Sequence, residues 1–213
     1  MRNLNHAYLM LIGLLFISLI ATAENNIPLI QQNIGNDLIN RDQSALQNDL
    51  QNLLSCVAEI YSTHSNEYAE SVLWAAMIME QTGDNKQSQR LLSRSDKLFK
   101  KYGSGKFNGR DTIHEIFRHD LVSSLENQGG RDYYSLRQSK KSLKLKRQFF
   151  GNESEEYLNA VLDLSKLYAQ RLNYNKSTQL HNEAFISYVN LLKNKFCSLS
   201  DFGRENFWAT AIK

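Results

Sequence analysis

The sequence predicts an all-α chain made of repeated helix pairs, and three observations predict it. The 213 residues contain one proline, Pro28, near the N-terminus. Proline breaks helices and strands alike, so the long proline-free remainder favours long helices. Glycine is scarce and clusters at Gly103, Gly105 and Gly109 and at Gly129 and Gly130, where a helical chain would turn. Third, the chain resembles itself. EYAESVLWAAMIMEQTGDNKQSQRLLSRS (67–95) and EYLNAVLDLSKLYAQRLNYNKSTQLHNEA (156–184) align without a gap at an offset of 89. That offset is twice a helix-pair unit of roughly 42–47 residues, so a middle copy is expected between them.

Taken in order, residues 1–23 stand apart. MRNLNHAY carries one charged side chain, Arg2; LMLIGLLFISLI is an apolar core of 12 residues; Ala21-Thr22-Ala23 is the small-x-small pattern a signal peptidase accepts. The apolar run is shorter than the roughly 18–20 residues of a spanning helix, so the reading is a signal peptide cleaved near Ala23. The mature chain is then periplasmic or secreted, with no stable membrane span. Of the 25 basic and 22 acidic residues, cleavage removes only Arg2, leaving 24 against 22 and a net charge of +2. So balanced a surface gives no whole-chain electrostatic reason to bind nucleic acid or a membrane.

The remainder divides into a partial unit over about 37–65, full units over 66–106, 107–151 and 152–196, and a truncated unit over 198–213. Second helices start near Gln43, Gln87, Tyr134 and Lys176. Their serines, Ser44, Ser88, Ser135 and Ser177, are spaced by 44, 47 and 42 residues. Small residues at Ala76, Ser88, Ser165, Ser177 and Ala184 let antiparallel helices approach closely, while Tyr168, Tyr174 and Leu180 fill the space between pairs. At the end, Ser198-Leu199-Ser200-Asp201 reads as a helix start, and RENFWATAIK begins a first helix whose partner is missing.

The stretch 162–184 resembles the tetratricopeptide repeat (TPR), in the long-helix form of kinesin-light-chain-like arrays. The family's pattern falls on Leu164, Ser165, Leu167-Tyr168, Leu172, Tyr174, Ser177, Leu180-His181 and Ala184. Leu172 replaces glycine, Ser177 alanine and His181 an aromatic ring. In the copy from Glu67 the same places hold Ala75, Ala76, Met79, Gly83, Asn85, Ser88, Leu92 and Ser95. The resemblance implies an α-solenoid of antiparallel helix pairs that binds a protein or peptide in a concave groove lined by its first helices. Its groove places fall on Glu70, Trp74, Met77, Glu80 and Gln81; on Asp120, Ser124, Asn127 and Gln128; and on Asn159, Lys166 and Gln170. The expected function is a non-enzymatic scaffold with no cofactor. The exported array and the tract LLKNKFCSLSDFGRENFW are also similar to CHAT-domain (caspase-like) proteins, which implies an alternative: the regulatory arm of a larger peptidase whose catalytic domain lies outside this chain.

Other motifs carry less. In His114-Glu115-Ile116-Phe117-Arg118-His119 the histidines are five apart, about 140° round a helix, whereas a zinc-protease pair must be four apart on one face. They read as surface or groove histidines, and no metal is expected. Cys56 and Cys197 read as small buried apolar side chains, with no nucleophile turn or oxyanion loop beside them. RQSKKSLKLKR (137–147) puts Lys140, Lys144 and Arg147 on one stripe and Arg137 and Lys141 on the next. It reads as a solvated outer face, with an acidic partner or anionic lipid as the sharper reading. The sequon Asn175-Lys-Ser177 is expected to be poorly accessible, because Ser177 takes a close-packed place.

Overall fold

A computed structural model of the chain describes residues 27–40, 42–102 and 109–198. Among the described residues there are eight helices and no strand. They are α1 (Ile27–Asn40), α2 (Gln43–Tyr61), α3 (Asn66–Gln81), α4 (Asn85–Tyr102), α5 (Gly109–Gln128), α6 (Asp132–Phe150), α7 (Glu155–Gln170) and α8 (Tyr174–Ser198). The expected signal peptide, Gly103, Gly105 and the truncated helix beyond Ser198 lie outside the described residues. The first helix begins at Ile27, well before the partial unit expected from residue 37. Pro28 does not prevent this, because the first helical turn has no intrahelical donor for proline to remove.

The helices form two compact units, Met1–Gly105 and Lys106–Lys213. In the first, α1 packs on α2, α2 on α3 and α3 on α4; in the second, α5 packs on α6, α6 on α7 and α7 on α8. Each unit is therefore two helical hairpins joined in sequence.

One turn chemistry closes every hairpin. The backbone N–H groups of Asp42, Asp84, Arg131 and Asn173 donate to the carbonyls of Asp37, Met79, Glu126 and Tyr168, each five residues back, at 2.8–3.0 Å. Such a bond satisfies a carbonyl that the ending helix would otherwise leave orphaned. The donor residue then begins the next helix. Asp42 accepts from Ser44 and Ala45 N–H, Asp84 from Gln87 N–H and Asn173 from Lys176 N–H. Arg131 supplies no side-chain cap. These turn residues are spaced by 42, 47 and 42. The expected first spacing of 44 is corrected, because Ser44 is exposed at its helix start and Leu46 takes the buried place that Ser88 takes in the next hairpin.

In the three later hairpins the residue before the turn donor turns left-handed. Gly83 does so at φ 88° and Gly130 at φ 72°. A Cβ at either would meet no atom within 4 Å, so the demand for glycine there is conformational and not steric. Leu172 fills the same place at φ 58° with its side chain 73% exposed.

A second turn joins the hairpins within each unit. Ser62 and Gly151, both at positive φ, accept at their carbonyls from the hydroxyls of Ser65 and Ser154, each at 3.0 Å. Those two hydroxyls in turn accept from Tyr68 and Tyr157 N–H at 3.1 Å, as helix N-caps. The two connections lie 89 residues apart, which is the offset of the sequence alignment. The repeated object is thus a pair of hairpins.

Small residues set the approach of the paired helices. Ser88 Oγ donates to the Ala76 carbonyl at 2.7 Å, Ser123 Oγ to the Ser135 carbonyl at 3.0 Å and Ser165 Oγ to the Ser177 carbonyl at 2.9 Å. Two turns along α4, Ser95 Oγ donates to the Ala69 carbonyl at 2.7 Å; Ser142 and Ala184 hold the same place on α6 and α8, both buried. A hydroxyl can reach a neighbouring backbone carbonyl only where no larger side chain holds the helices apart. In the first hairpin the matching pair is Ile34 and Leu46, both buried, and no such bond is recorded among the described residues.

In the last hairpin, Tyr157, Leu158, Val161, Leu164 and Tyr168 of α7 meet Leu180 and Ala184 of α8, with Leu136 and Leu143 of α6 packed against them. Tyr168 and Leu180 thus pack as expected. Tyr174 does not: at the first position of α8, just past the Leu172 turn, it is 60% exposed. The cysteine expectation also fails, since Cys56 is half-buried and Cys197 exposed at the end of α8. Asn175 is exposed in the first turn of α8, so that sequon is accessible.

Leu172→Gly is expected to stabilise the second unit by about 1 kcal/mol, because glycine enters the left-handed region without the Cβ penalty and the lost side chain packs on little. Urea denaturation followed by circular dichroism measures this. A drop in stability would show that Leu172 earns its place through contacts.

Candidate partner-binding face

The hairpin bonds fix which residues of the first helices are equivalent in the repeat. With Ala76, Ser123 and Ser165 equivalent, Glu70 corresponds to Phe117 and Asn159, Met77 to Ser124 and Lys166, and Gln81 to Gln128 and Gln170. On each helix the three places lie along one stripe, at spacings that return to the same face.

Most expected groove residues fall on this stripe, and two do not serve as expected. Trp74 is only 6% exposed and belongs to the core of the first unit, so its indole is not an open apolar contact. Asp120 takes the repeat place of Leu73 and Leu162, to one side of the stripe. Its carboxylate accepts from Lys146 Nζ of α6 at 2.8 Å, and that lysine is buried. A charge held this way serves its own hairpin, because removing either partner would strand the other. Phe117, half-buried, takes the vacated place. It could have been found only from the second-helix spacing, since the glycine-rich turn of the middle copy hides the register of its first helix.

The rest of the stripe grades from half-buried to exposed. In the first unit Glu70, Met77 and Glu80 are half-buried and Gln81 is exposed. In the second unit Ser124 and Asn127 are half-buried, while Gln128 is exposed and donates through Nε2 to Ser124 Oγ at 3.2 Å. Asn159 accepts from the Tyr188 hydroxyl of α8 at 2.6 Å, which fixes its carboxamide. Lys166 is exposed and donates to Asp163 one turn back at 2.8 Å. Gln170 is exposed at the end of α7. The face thus offers amide donors and acceptors together with the carboxylates of Glu70 and Glu80 and one cation, Lys166, a set able to pair with peptide groups.

The two histidines of the middle hairpin are buried, correcting their expected place on the surface or in the groove. His119 takes the repeat place of Val72 and Val161, both core residues. Its Nδ1 lies 2.7 Å from Gln138 Oε1 of α6, and its Nε2 lies 3.5 Å from Glu115. Burial holds its pKa below the usual 6.5, against the smaller raising effects of Gln138 and Glu115. Among the described residues no cluster of three His, Cys, Asp or Glu side chains could hold a metal ion. Among the same residues, no helix is long and apolar enough to cross a membrane.

No protein-family model matches the chain, and no curated protein matches it.

A depressed histidine pKa gives a definite sign. The stability that neutral His119 contributes is complete above its unfolded pKa near 6.5 and is lost as pH falls toward the lower folded value. Thermal melts of the full chain should therefore show a loss of stability between pH 7.5 and pH 5.5, and His119→Val, which installs the residue of the neighbouring hairpins, should flatten that slope. An unchanged slope in the variant would assign the pH dependence to other groups.

Proposed function

We propose that the chain is a TPR-type scaffold, a solenoid of antiparallel helix pairs without enzymatic activity, which binds an extended protein or peptide segment along its first-helix face. The observation that carries the reading is the glutamine at the last position of three first helices. Gln81, Gln128 and Gln170 take the same repeat place, each on its own helix, and are all exposed. Core positions recur in a repeat because packing demands it; an exposed residue meets no such demand. A glutamine carboxamide both donates and accepts, so each can pair with one peptide group of a bound strand.

The test is Gln81→Ala, Gln128→Ala and Gln170→Ala combined, with circular dichroism confirming an unchanged fold. At about 1 kcal/mol for each lost hydrogen bond, affinity for a partner captured by the wild-type chain should fall about a hundredfold. Equal affinity would remove this face as the binding site.

We also read the chain as exported. The support is the charged start, apolar core and Ala21-Thr22-Ala23 of its N-terminus. The mature protein isolated from the exporting cell should begin at Glu24; a chain that keeps residues 1–23 there would overturn this.

A second reading is the regulatory arm of a larger CHAT-type peptidase, and one observation favours it. On α8, Phe185 is 63% exposed, beside exposed Ile186, Val189 and Leu192. Phe185 stands level with Leu143 of α6, which packs against the core of the following hairpin. A further helix seated on α8 would bury this face in the same way. A His–Cys dyad in the reading frame after Lys213 would favour this arm over a free scaffold.

A further inference from the structure

The second helices α4 and α6 share a feature that packing does not require. Arg137, Lys140, Lys141, Lys144 and Arg147 are all exposed, on the side of α6 away from its buried Ser135 and Ser142. No acidic residue lies between Arg137 and Arg147. On α4, Arg90, Arg94, Lys97 and Lys100 are likewise exposed, and they take the repeat places of Arg137, Lys141, Lys144 and Arg147 at the 47-residue spacing of the hairpin turns. The same places hold Asn48, Asn52 and Ser55 on α2, and Gln179, Glu183 and Ile186 on α8. The fold therefore accepts neutral, acidic or apolar side chains there. Cations at four equivalent places on two helices answer to something outside the fold.

We propose that the cationic faces of α4 and α6 dock the protein on the surface of a bilayer rich in anionic phospholipid. The five cations of α6 run along roughly 15 Å of helix, and among the described residues none of them is in an ion pair. Lys140 lies 5.5 Å from the Tyr168 ring, and Arg94 donates to the Tyr68 hydroxyl at 2.7 Å. The other cations reach outward on long side chains along a ridge, not around one point. Such a ridge suits a plane of laterally mobile headgroups, which gather under fixed cations without a preformed pocket. Tyr133, 72% exposed, and Tyr134 stand at one end of the α6 face, and tyrosine favours the headgroup level of a bilayer. Nucleic acid fits less well. Among the described residues the exposed rings of α6, Tyr133, Tyr134 and Phe149, stand at the ends of the cationic face, and Tyr68 and Tyr168 beside Arg94 and Lys140 are buried. None of these rings is open between the cations for a base to stack on. Each face acts in its own unit, so the proposal needs no fixed relation between the two.

Each basic side chain raises partitioning onto an anionic surface about fivefold, so the attachment is cumulative and salt-sensitive. The test uses the full chain and sedimenting vesicles, either neutral phosphatidylcholine or the same with about a third phosphatidylglycerol. The readout is the ratio of bound fractions on anionic and neutral vesicles, to which the apolar segment 9–20 contributes on both sides. The ratio should exceed about ten at about 50 mM salt and approach one at about 0.5 M. Arg137→Glu, Lys141→Glu and Lys144→Glu combined should lower it more than about fivefold, and so should Arg90→Glu, Lys97→Glu and Lys100→Glu combined. Charge reversal placed elsewhere, as Lys176→Glu and Lys193→Glu, should leave most of it. If a triple variant loses helicity, Lys144→Gln alone should still lower anionic partitioning about fivefold. A ratio of one for the wild type at low salt would overturn the proposal. So would wild-type binding by both face variants, an equal loss in the off-face variant, or tighter capture of duplex DNA than of the vesicles.

Discussion

The hydroxyl-to-carbonyl bonds between paired helices are the constraint on which the rest of this architecture depends. Ser88 on Ala76, Ser123 on Ser135 and Ser165 on Ser177 can form only where both helices carry small residues at the crossing. Each bond fixes the distance between two helices and also their register along the axis. From that register follow, in each hairpin, the buried stripe and the places that its first and second helices leave exposed. A larger residue at any of these crossings would push the pair apart and lose the bond together with the packing around it.

Turns and crossings reinforce each other. The hairpin turn uses a carbonyl five residues behind its donor, so the second helix starts at a fixed phase relative to the first. With the phase fixed, the residue four beyond the turn donor arrives opposite the crossing on the first helix. Leu46, Ser88, Ser135 and Ser177 all stand at that place. The first hairpin keeps the turn but fills the crossing with Ile34 and Leu46, so it is held by apolar packing in place of hydroxyl bonds. Turn geometry is thus the more widely kept of the two devices, because it satisfies backbone groups and tolerates many side chains.

Once the repeat removes what packing explains, the two surfaces separate. First-helix residues such as Gln81, Gln128 and Gln170 present amides, whereas the outer faces of α4 and α6 present cations, on α6 with no acidic residue between Arg137 and Arg147. A near-neutral chain can hold both, because the acidic residues lie mainly on first helices: Glu67, Glu70 and Glu80 on α3, and Glu155, Glu156 and Asp163 on α7. The departures from the repeat are local. His119 sits in a valine place, and Asp120 and Lys146 place a charge pair where the other hairpins have none, so the middle hairpin carries most of the buried polar groups of its unit.

The sequence by itself determined the all-α class, the helix-pair repeat and its 89-residue offset, because glycine placement, proline absence and small-residue spacing are local signals that survive without tertiary contacts. It also marked Ala76, Ser88, Ser165 and Ala184 as close-packed, since small residues recurring at fixed spacing have few other causes. It could not decide which long side chains turn inward. Trp74, His114 and His119 are buried while Tyr174 is exposed, and helical periodicity alone treats residues on the border of a face alike. Nor could it see that Leu46 replaces Ser44, or that Asp120 is held by Lys146, because both depend on the phase between two helices. That phase is set by the turn and by the distance at the crossing, and only the tertiary structure supplies them.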